Sequence, residues 1–274
     1  MGRHKILLVN DDGFMSKGLP LTYSALQDVG DVIAVVPEVP KSGGGHSVTL
    51  HKPIFVRELQ IYSMTTYVIN GTPVDAIHVA RSVLGLEPDL VVSGVNIGEN
   101  TSMQNILYSG TVEAAIEAGL FGYPSLSFSA DVGSDEAFED PRYAALVRKV
   151  VIAASAYILE HGWFKGIDCI SINIPSMYSV KGVIMAKAQK LRFIQKYEKR
   201  VDPRGREYYW LVGERVTEPE TDSHYLSQGY VVVTPLRSDL THPGLCGCLE
   251  LPDDIHDFIN HLNKVLTNLP RNLV

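Results

Sequence analysis

Short apolar runs alternate with longer amphipathic segments over residues 5–172. Residues 5–9 and 31–36 are apolar runs of strand length, and residues 18–29 between them look helical. The same alternation predicts further strands over residues 66–69, 90–92, 125–128 and 168–172, and further helices over residues 73–84, 111–121 and 141–160. Alternating strands and helices predict a three-layer, Rossmann-like α/β fold, in which a mostly parallel sheet carries helices on both faces.

The pattern changes beyond Pro175. Residues 191–201 alternate apolar and charged side chains, a turn follows over residues 202–205, and residues 207–212 return as a second strand. A short strand over residues 230–234 and an amphipathic helix over residues 253–269 close the chain. We therefore expect residues 1–274 to form one domain, with a protruding β-hairpin over residues 190–213 and a terminal helix.

Aromatic side chains are dense in the predicted hairpin. They are Phe193, Tyr197, Tyr208, Tyr209 and Trp210. A two-stranded ribbon alone is at best marginally stable in water, so these rings need a cover. The ribbon packing back on its own body is one alternative. Aromatic density on a protruding element is more typical of a subunit contact, so we expect an oligomer in which these arms are exchanged across a two-fold axis.

Two adjacent carboxylates follow the first strand directly, in the sequence Asn10-Asp11-Asp12-Gly13. The carboxyl edge of the sheet is where open α/β folds bind ligands. Two carboxylates side by side repel each other unless a cation neutralises them, and a hard divalent metal with oxygen ligands commonly does so. The alternative is a polar turn that caps the next helix, with Gly13 supplying the bend.

Polar loops follow two other predicted strands. Ser42 lies in a glycine-rich loop after residues 31–36, and Ser93, Asn96 and Asn100 follow residues 90–92. Because parallel strands end at a common edge, these side chains should meet Asp11 and Asp12 there. The site would then combine carboxylate, amide and hydroxyl oxygens, which suits Mg²⁺ or Mn²⁺ better than zinc.

The segment Ser109-Gly110-Thr111 opens a predicted helix. Free backbone N–H groups, two hydroxyl groups and the positive end of the helix dipole could bind a phosphate there, so we call residues 109–111 the anion cradle. The alternative is that Ser109 or Thr111 only caps the helix. Neither a Walker-type nor a Rossmann-type glycine motif follows a strand, which disfavours a dinucleotide oxidoreductase.

Composition narrows the class of protein further. The chain has 274 residues, of which 45% are hydrophobic, enough to bury a sizeable core. Its formal net charge of −7 argues against binding a nucleic-acid polymer, which requires a basic face. No apolar run approaches the roughly 20 residues of a membrane span, and no secretory segment precedes the first strand. We therefore expect a cytoplasmic protein that does not contact membranes.

Several of these motifs, in order and spacing, resemble the survival protein SurE family. They are residues 9–13, 42–43, 70–73, 88–96, 108–112 and 229–236. The resemblance implies a metal-dependent nucleotidase that releases phosphate from nucleoside 5′- or 3′-monophosphates and, as in some members of the family, from short polyphosphate, and that forms dimers or tetramers.

The resemblance also implies roles for individual residues. One divalent cation per subunit would be held by Asp11, Asp12, Ser42 and Asn96. Phosphate would be bound by Ser109, Gly110 and Thr111, with Asn10 or Asn100 assisting. His242 stands one residue earlier than the histidine of some relatives, so the general acid stays unassigned, and His46 also departs from many relatives.

The catalytic hypothesis assigns the chemistry to Asp11 and Asp12. A metal-activated water would attack phosphorus, and Asp12 could also act on that water. A phospho-aspartate route is disfavoured, because such enzymes carry an aspartate two positions after the nucleophile, where this chain has Gly13. The alternative function is a nucleotide or phosphate sensor without turnover on the same fold.

Overall fold

The structure, a computed structural model, describes residues 3–61, 64–176, 180–242, 245 and 253–267. Its strands are β1 (Lys5–Val9), β2 (Asp31–Pro37), β3 (Val56–Ile61), β4 (Met64–Ile69), β5 (Leu90–Ile97), β6 (Ser125–Ala130), β7 (Cys169–Ile174), β8 (Val183–Met185), β9 (Phe193–Val201), β10 (Glu207–Arg215) and β11 (Val231–Leu236). Its α-helices are α1 (Gly18–Leu26), α2 (Pro73–Ser82), α3 (Ser102–Tyr108), α4 (Gly110–Leu120), α5 (Pro141–His161), α6 (Asp222–Ser227) and α7 (Asp253–Thr267), with a 3-10 helix over Asp135–Glu139.

The main sheet has the strand order β3-β4-β2-β1-β5-β6-β7-β11-β8 in the described part of the chain. Neighbouring strands run parallel except for two pairs, β3 with β4 and β7 with β11. Strand β1 is buried on both faces. Ile6 and Leu8 belong to the core cluster that includes residues of α1 and α5, whereas Leu7 and Val9 belong to the cluster that includes α2 and α4. This arrangement confirms the predicted three-layer α/β fold.

The chain order reverses beside β1. Strand β1 pairs with β2 on one side and with β5 on the other, so its carboxyl end lies at the topological switch point of the sheet. Strand β5 carries a register shift between Ser93 and Asn96, which is the irregularity of a β-bulge. Both features lie at the edge where the sequence predicted the polar residues to meet.

The predicted hairpin is present as a separate antiparallel sheet of β9 and β10. All residues of β10 are exposed, and so are those of β9 after Phe193. Exposed ion pairs connect the two strands, Lys196 with Glu214 and Lys199 with Glu207, each at 2.6 Å. Four of the five predicted aromatic rings are exposed on this ribbon.

Some elements were absent from the prediction. Strand β3 lies at the edge of the sheet and alternates exposed charged residues with half-buried ones, while β8, α3 and α6 span only three to seven residues. Such short elements depend on tertiary contacts that a local pattern does not carry. The described helices include none that is long and apolar enough to cross a membrane.

The chain divides into two compact units, Met1–Arg237 and Ser238–Val274. The first contains the sheet and the hairpin, and the second contains α7, which confirms the predicted terminal helix. The prediction that residues 1–274 form a single domain stays a prediction, because compactness alone does not establish whether a segment folds by itself.

Helix α4 approaches the segment before β7 closely at Gly119. A Cβ atom at this position would lie 2.1 Å from the carbonyl oxygen of Asp168. We expect Gly119→Ala to lower the free energy of unfolding by about 1–3 kcal/mol in chemical denaturation, although alanine is the better helix former. Gly133→Ala is the control, since a Cβ there meets nothing within 4 Å. Equal stability of Gly119→Ala and wild type would contradict this close approach.

Candidate active site

Asp11 lies just beyond β1 and is almost completely buried, with 3% of its surface exposed. Its Oδ1 accepts a hydrogen bond of 2.5 Å from the hydroxyl of Thr111, at the start of α4. Burial raises the pKa of the Asp11 carboxyl, and hydrogen bonds from the Thr111 hydroxyl and from backbone N–H groups, including that of Gly110, oppose this rise. The folded chain thus holds a carboxylate where water does not solvate it well.

Asp12 follows at once and is partly buried. Burial, followed by the negative charge of Asp11, raises the pKa of Asp12 to about 7. The backbone N–H of Ile97, at the end of β5, donates to its Oδ2 at 3.1 Å and favours the charged form. Two adjacent carboxyl groups with raised pKa values are a site that a cation would stabilise, because metal binding favours the deprotonated form of both.

Asn96 follows the bulge of β5. Its Nδ2 donates to the carbonyl oxygens of Ile97 and Gly98, at 3.1 and 2.8 Å. These two bonds hold the amide and leave its Oδ1 as a ligand atom. Among the described residues, no group of three His, Cys, Asp or Glu side chains could hold a metal ion, so any metal here needs neutral oxygens besides the two carboxylates.

The Ser42 hydroxyl is the other predicted neutral ligand. The backbone N–H of Lys41 donates to the carbonyl oxygen of Asp11 at 2.7 Å, which brings the loop after β2 to the acidic pair. Ser42 is exposed, and it lines the same cavity as Asp11. The donor set of two carboxylates, one amide and one hydroxyl therefore fits a hard divalent cation.

A cavity of about 200 Å³ opens at this edge of the sheet. Its lining consists of Asp11, Ser42, Gly43, Asn96, Ile97, Gly98, Glu99, Asn100, Asn105, Tyr108 and Ser109. Two of these residues are acidic, and no lysine or arginine occurs among the described residues of the lining. An anion in this cavity would therefore need a cation from elsewhere.

The predicted site residues divide into those that line the cavity and those that do not. The cavity is lined by Asp11, Ser42, Asn96, Asn100 and Ser109.

Asp12, Asn10, Gly110 and Thr111 are absent from that lining. The Nδ2 of Asn10 donates to the carbonyl oxygen of Gly13 at 3.0 Å, while its buried Oδ1 has no hydrogen-bond partner among the described residues.

The anion cradle has a structural role of its own. Ser109 is the N-cap of α4, and its Oγ accepts a hydrogen bond of 3.1 Å from the backbone N–H of Val112. Thr111 is fully buried and directs its hydroxyl to Asp11. Gly110 leaves little room for a side chain, since a Cβ there would lie 3.0 Å from the Cβ of Asp11. The cradle thus supports the acidic pair from behind, while Ser109 also faces the cavity.

Sequence analysis missed an ion pair beside the cavity. Glu99 lines the cavity, and its Oε1 accepts from the Nε of Arg192 at 2.7 Å, with both side chains almost fully buried. The backbone N–H and hydroxyl of Thr101 donate to the other carboxylate oxygen at 2.8 and 2.5 Å. The pair joins the cavity to the base of the hairpin. Its members lie 93 residues apart, so no local pattern indicated it.

Fold and site together define an α/β protein with an acidic, oxygen-lined cavity at the switch point of a parallel sheet. The family model described as Survival protein SurE matches residues 6–195. The chain therefore belongs to the SurE family, as its motifs predicted.

Individual relatives agree with this assignment. A protein of Hyperthermus butylicus named 5′-nucleotidase SurE is 43% identical over 237 residues, which cover 85% of this chain and 84% of the relative. A protein of Archaeoglobus fulgidus with the same name is 40% identical and covers 86% and 92%. The crystal structure of the SurE protein from Aquifex aeolicus matches with a TM-score of 0.74 and 34% identity, covering 90% of this chain and 98% of that one.

The hydrogen bond between Thr111 and Asp11 generates a stability prediction. Thr111→Val keeps the shape of the side chain but removes the donor, so the buried carboxyl of Asp11 loses a partner. We expect the free energy of unfolding, measured by chemical denaturation with a chelator present, to fall by about 1–3 kcal/mol. Thr111→Ser retains the hydroxyl and should lose less. Equal losses in both variants would show that packing, and not the hydrogen bond, decides the effect.

Proposed function

We propose that this protein is a metal-dependent phosphomonoesterase that hydrolyses nucleoside monophosphates to nucleoside and phosphate. One observation carries the proposal. A cavity at the switch point has acidic and neutral oxygen groups and no basic residue in its described lining, next to two carboxyls whose pKa values are raised. A phosphate ester is anionic, so it would enter this cavity only together with a cation that also neutralises the carboxylates.

The names of the relatives support the substrate class. Both relatives described above are named 5′-nucleotidase SurE, which bears out the prediction of a 5′-nucleotidase enzyme. Metal dependence, activity on 3′-monophosphates and activity on short polyphosphate are finer parts of the proposal and rest on the site chemistry and the family resemblance. The absence of nucleic-acid polymer and membrane partners and a cytoplasmic location stay predictions as well.

One divalent cation per subunit, Mg²⁺ or Mn²⁺, would be held by Asp11, Asp12, Ser42 and Asn96. When bound, such a cation polarises a phosphoryl oxygen and lowers the pKa of a water molecule. Neighbouring groups of the protein hold the two carboxylates in position. Thr111 fixes the carboxylate of Asp11, and the backbone N–H of Ile97 fixes that of Asp12.

Proton transfer and phosphate orientation fall to neighbouring residues. Asp12, besides holding the cation, would be placed to act on the attacking water. Ser109 lines the cavity at the N-terminus of α4, where the helix dipole would favour the phosphate. Asn100 is held by the Oδ1 of Asn173 and by the Oγ of Ser129, both at 2.8 Å, and lines the wall of the cavity.

The acidic pair is tested by Asp12→Asn. Phosphate release from a panel of nucleoside monophosphates with Mn²⁺ should fall about 10³-fold, because loss of metal-centred charge stabilisation costs several kcal/mol. Asp28→Asn is the control, because it removes an exposed carboxylate that pairs with Arg148 on the surface. Wild-type rates in Asp12→Asn would show that the site is misassigned. Tight nucleotide binding by wild type without phosphate release would favour the alternative function, a nucleotide or phosphate sensor without turnover.

The same variant should change stability in the opposite direction when a chelator is present. The pKa of Asp12 is raised on folding from 3.8 to about 7, so ionising this carboxyl disfavours the folded state. Well below pH 3.8, Asp12 is protonated in both the folded and the unfolded state and carries no penalty, and the penalty grows as the pH rises from 3.8 to about 7. We expect Asp12→Asn to melt at a higher temperature than wild type at pH 8, with an advantage that shrinks as the pH falls toward 3.8 and vanishes well below it. A lower melting temperature at pH 8 would contradict the shift.

Oligomerisation through the hairpin is the last part of the proposal. Replacing residues 194–214 by a short Gly-Ser loop removes the exposed rings of β9 and β10 but keeps the buried Arg192. Light scattering should show a dimer or tetramer for wild type and a smaller assembly for the deletion. Lys199→Ala, which removes only an exposed ion pair, should leave the mass unchanged. A monomeric wild type, or an unchanged assembly after deletion, would overturn this part.

A further inference from the structure

His46 lies between two carboxylates of α4. Its Nδ1 is 2.5 Å from Oε2 of Glu113, and its Nε2 is 2.7 Å from Oε2 of Glu117. These glutamates lie one helical turn apart, and Glu113 is almost completely buried. His78 of α2 reaches the second carboxylate as well, with its Nε2 2.6 Å from Oε1 of Glu117. Both nitrogens of His46 are therefore engaged by the same helix.

The imidazole of His46 is a cation at neutral pH in this setting. The hydrogen bond to Glu113 raises the pKa of His46 most strongly, and although burial opposes this, the bond to Glu117 helps bring the pKa to about 9. Burial alone would raise the pKa of Glu117, but its hydrogen bonds with His78 and His46 lower it instead. The contact is thus a charged bridge from both edges of one ring, and not a pair of neutral hydrogen bonds.

The contact between His46 and α4 lies at the end of the loop that carries Ser42. We call residues 41–46 the Ser42 segment. Three consecutive glycines, Gly43 to Gly45, give it little stiffness of its own, and two of them adopt positive φ angles of 74° and 51°. Backbone hydrogen bonds tie it down at Lys41, to Asp11, and at Gly45, to the carbonyl oxygen of Tyr108 at 3.0 Å. His46 adds a side-chain contact with α4 directly after the three glycines.

We propose that His46 is a positioning residue that ties the Ser42 segment to α4 and so holds the Ser42 hydroxyl at the cavity that Asp11 and Ser109 line. The geometry supports this role because Glu113 lies one turn after Ser109, on the same helix whose N-terminus faces the cavity. The contact of His46 with Glu113 would therefore keep the position of Ser42 fixed relative to Ser109. The role in metal binding rests on the proposed function, whereas the tie itself does not.

The first test measures the tie without any metal. In the presence of a chelator, backbone amides of the Ser42 segment should exchange hydrogen about tenfold faster in His46→Gln than in wild type. The substitution removes hydrogen bonds between charged groups, so the segment opens more readily. His46→Arg, which restores a cation with several donors, should recover much of the protection. The matched control is His78→Gln, which removes the other histidine on Glu117 but leaves the segment tied. Unchanged exchange in His46→Gln would overturn the inference.

The second test measures the consequence for the metal. The Mn²⁺ concentration that half-saturates the rise in melting temperature should increase about 10- to 100-fold in His46→Gln. The Mn²⁺ concentration that half-saturates the rate of phosphate release should increase by a similar factor, with kcat at saturating Mn²⁺ close to wild type. Equal effects of His46→Gln and His78→Gln would mean a general weakening around α4 and would overturn the positioning role. A wild type that Mn²⁺ neither stabilises nor activates would overturn the proposed function and this metal-directed role, while the exchange experiment would still decide the tie.

Discussion

The site depends on one electrostatic constraint, which is that Asp11 and Asp12 occupy a poorly solvated corner at the end of β1. Burial raises the pKa of both carboxyls, and for Asp12 the charge of its neighbour raises it further. Ionising these carboxyls therefore costs free energy in the folded state, and hydrogen-bond donors such as the Thr111 hydroxyl lower that cost. Such an arrangement destabilises the empty protein and favours a bound cation, because binding energy repays the cost of holding the carboxylates together.

Much of this arrangement could be predicted from local sequence. The strand that precedes Asp11 and the helix after Ser109 are both found, and the strand predicted over residues 90–92 is found as the longer β5, which contains Asn96. They meet at the predicted edge of the sheet. The chemical role of each residue was harder to predict. Thr111 was expected to face phosphate, but its hydroxyl points to Asp11, and Ser109 is also the helix cap that the alternative described.

The contacts that sequence analysis missed are those between distant segments. Glu99 pairs with Arg192, and His46 lies between Glu113 and Glu117, so a charged partner is buried or half-buried in each case. No periodicity or spacing marks such partners, since only the folded chain brings them together. These pairs connect the cavity with its surroundings, one to the base of the hairpin and the other to the Ser42 segment. Arg192 lies directly before β9, so its ion pair with Glu99 brings the base of the hairpin to the cavity.

The most direct test of the metal site is an anomalous diffraction experiment on crystals grown with Mn²⁺ and inorganic phosphate, recorded at the manganese absorption edge. Our account predicts one strong peak per subunit, coordinated by Asp11, Asp12, Ser42 and Asn96, with phosphate density between it and Ser109. Coordination by oxygen ligands at about 2.0–2.3 Å would support it. A saturated crystal with no peak at the acidic pair, or with phosphate bound there without metal, would contradict it.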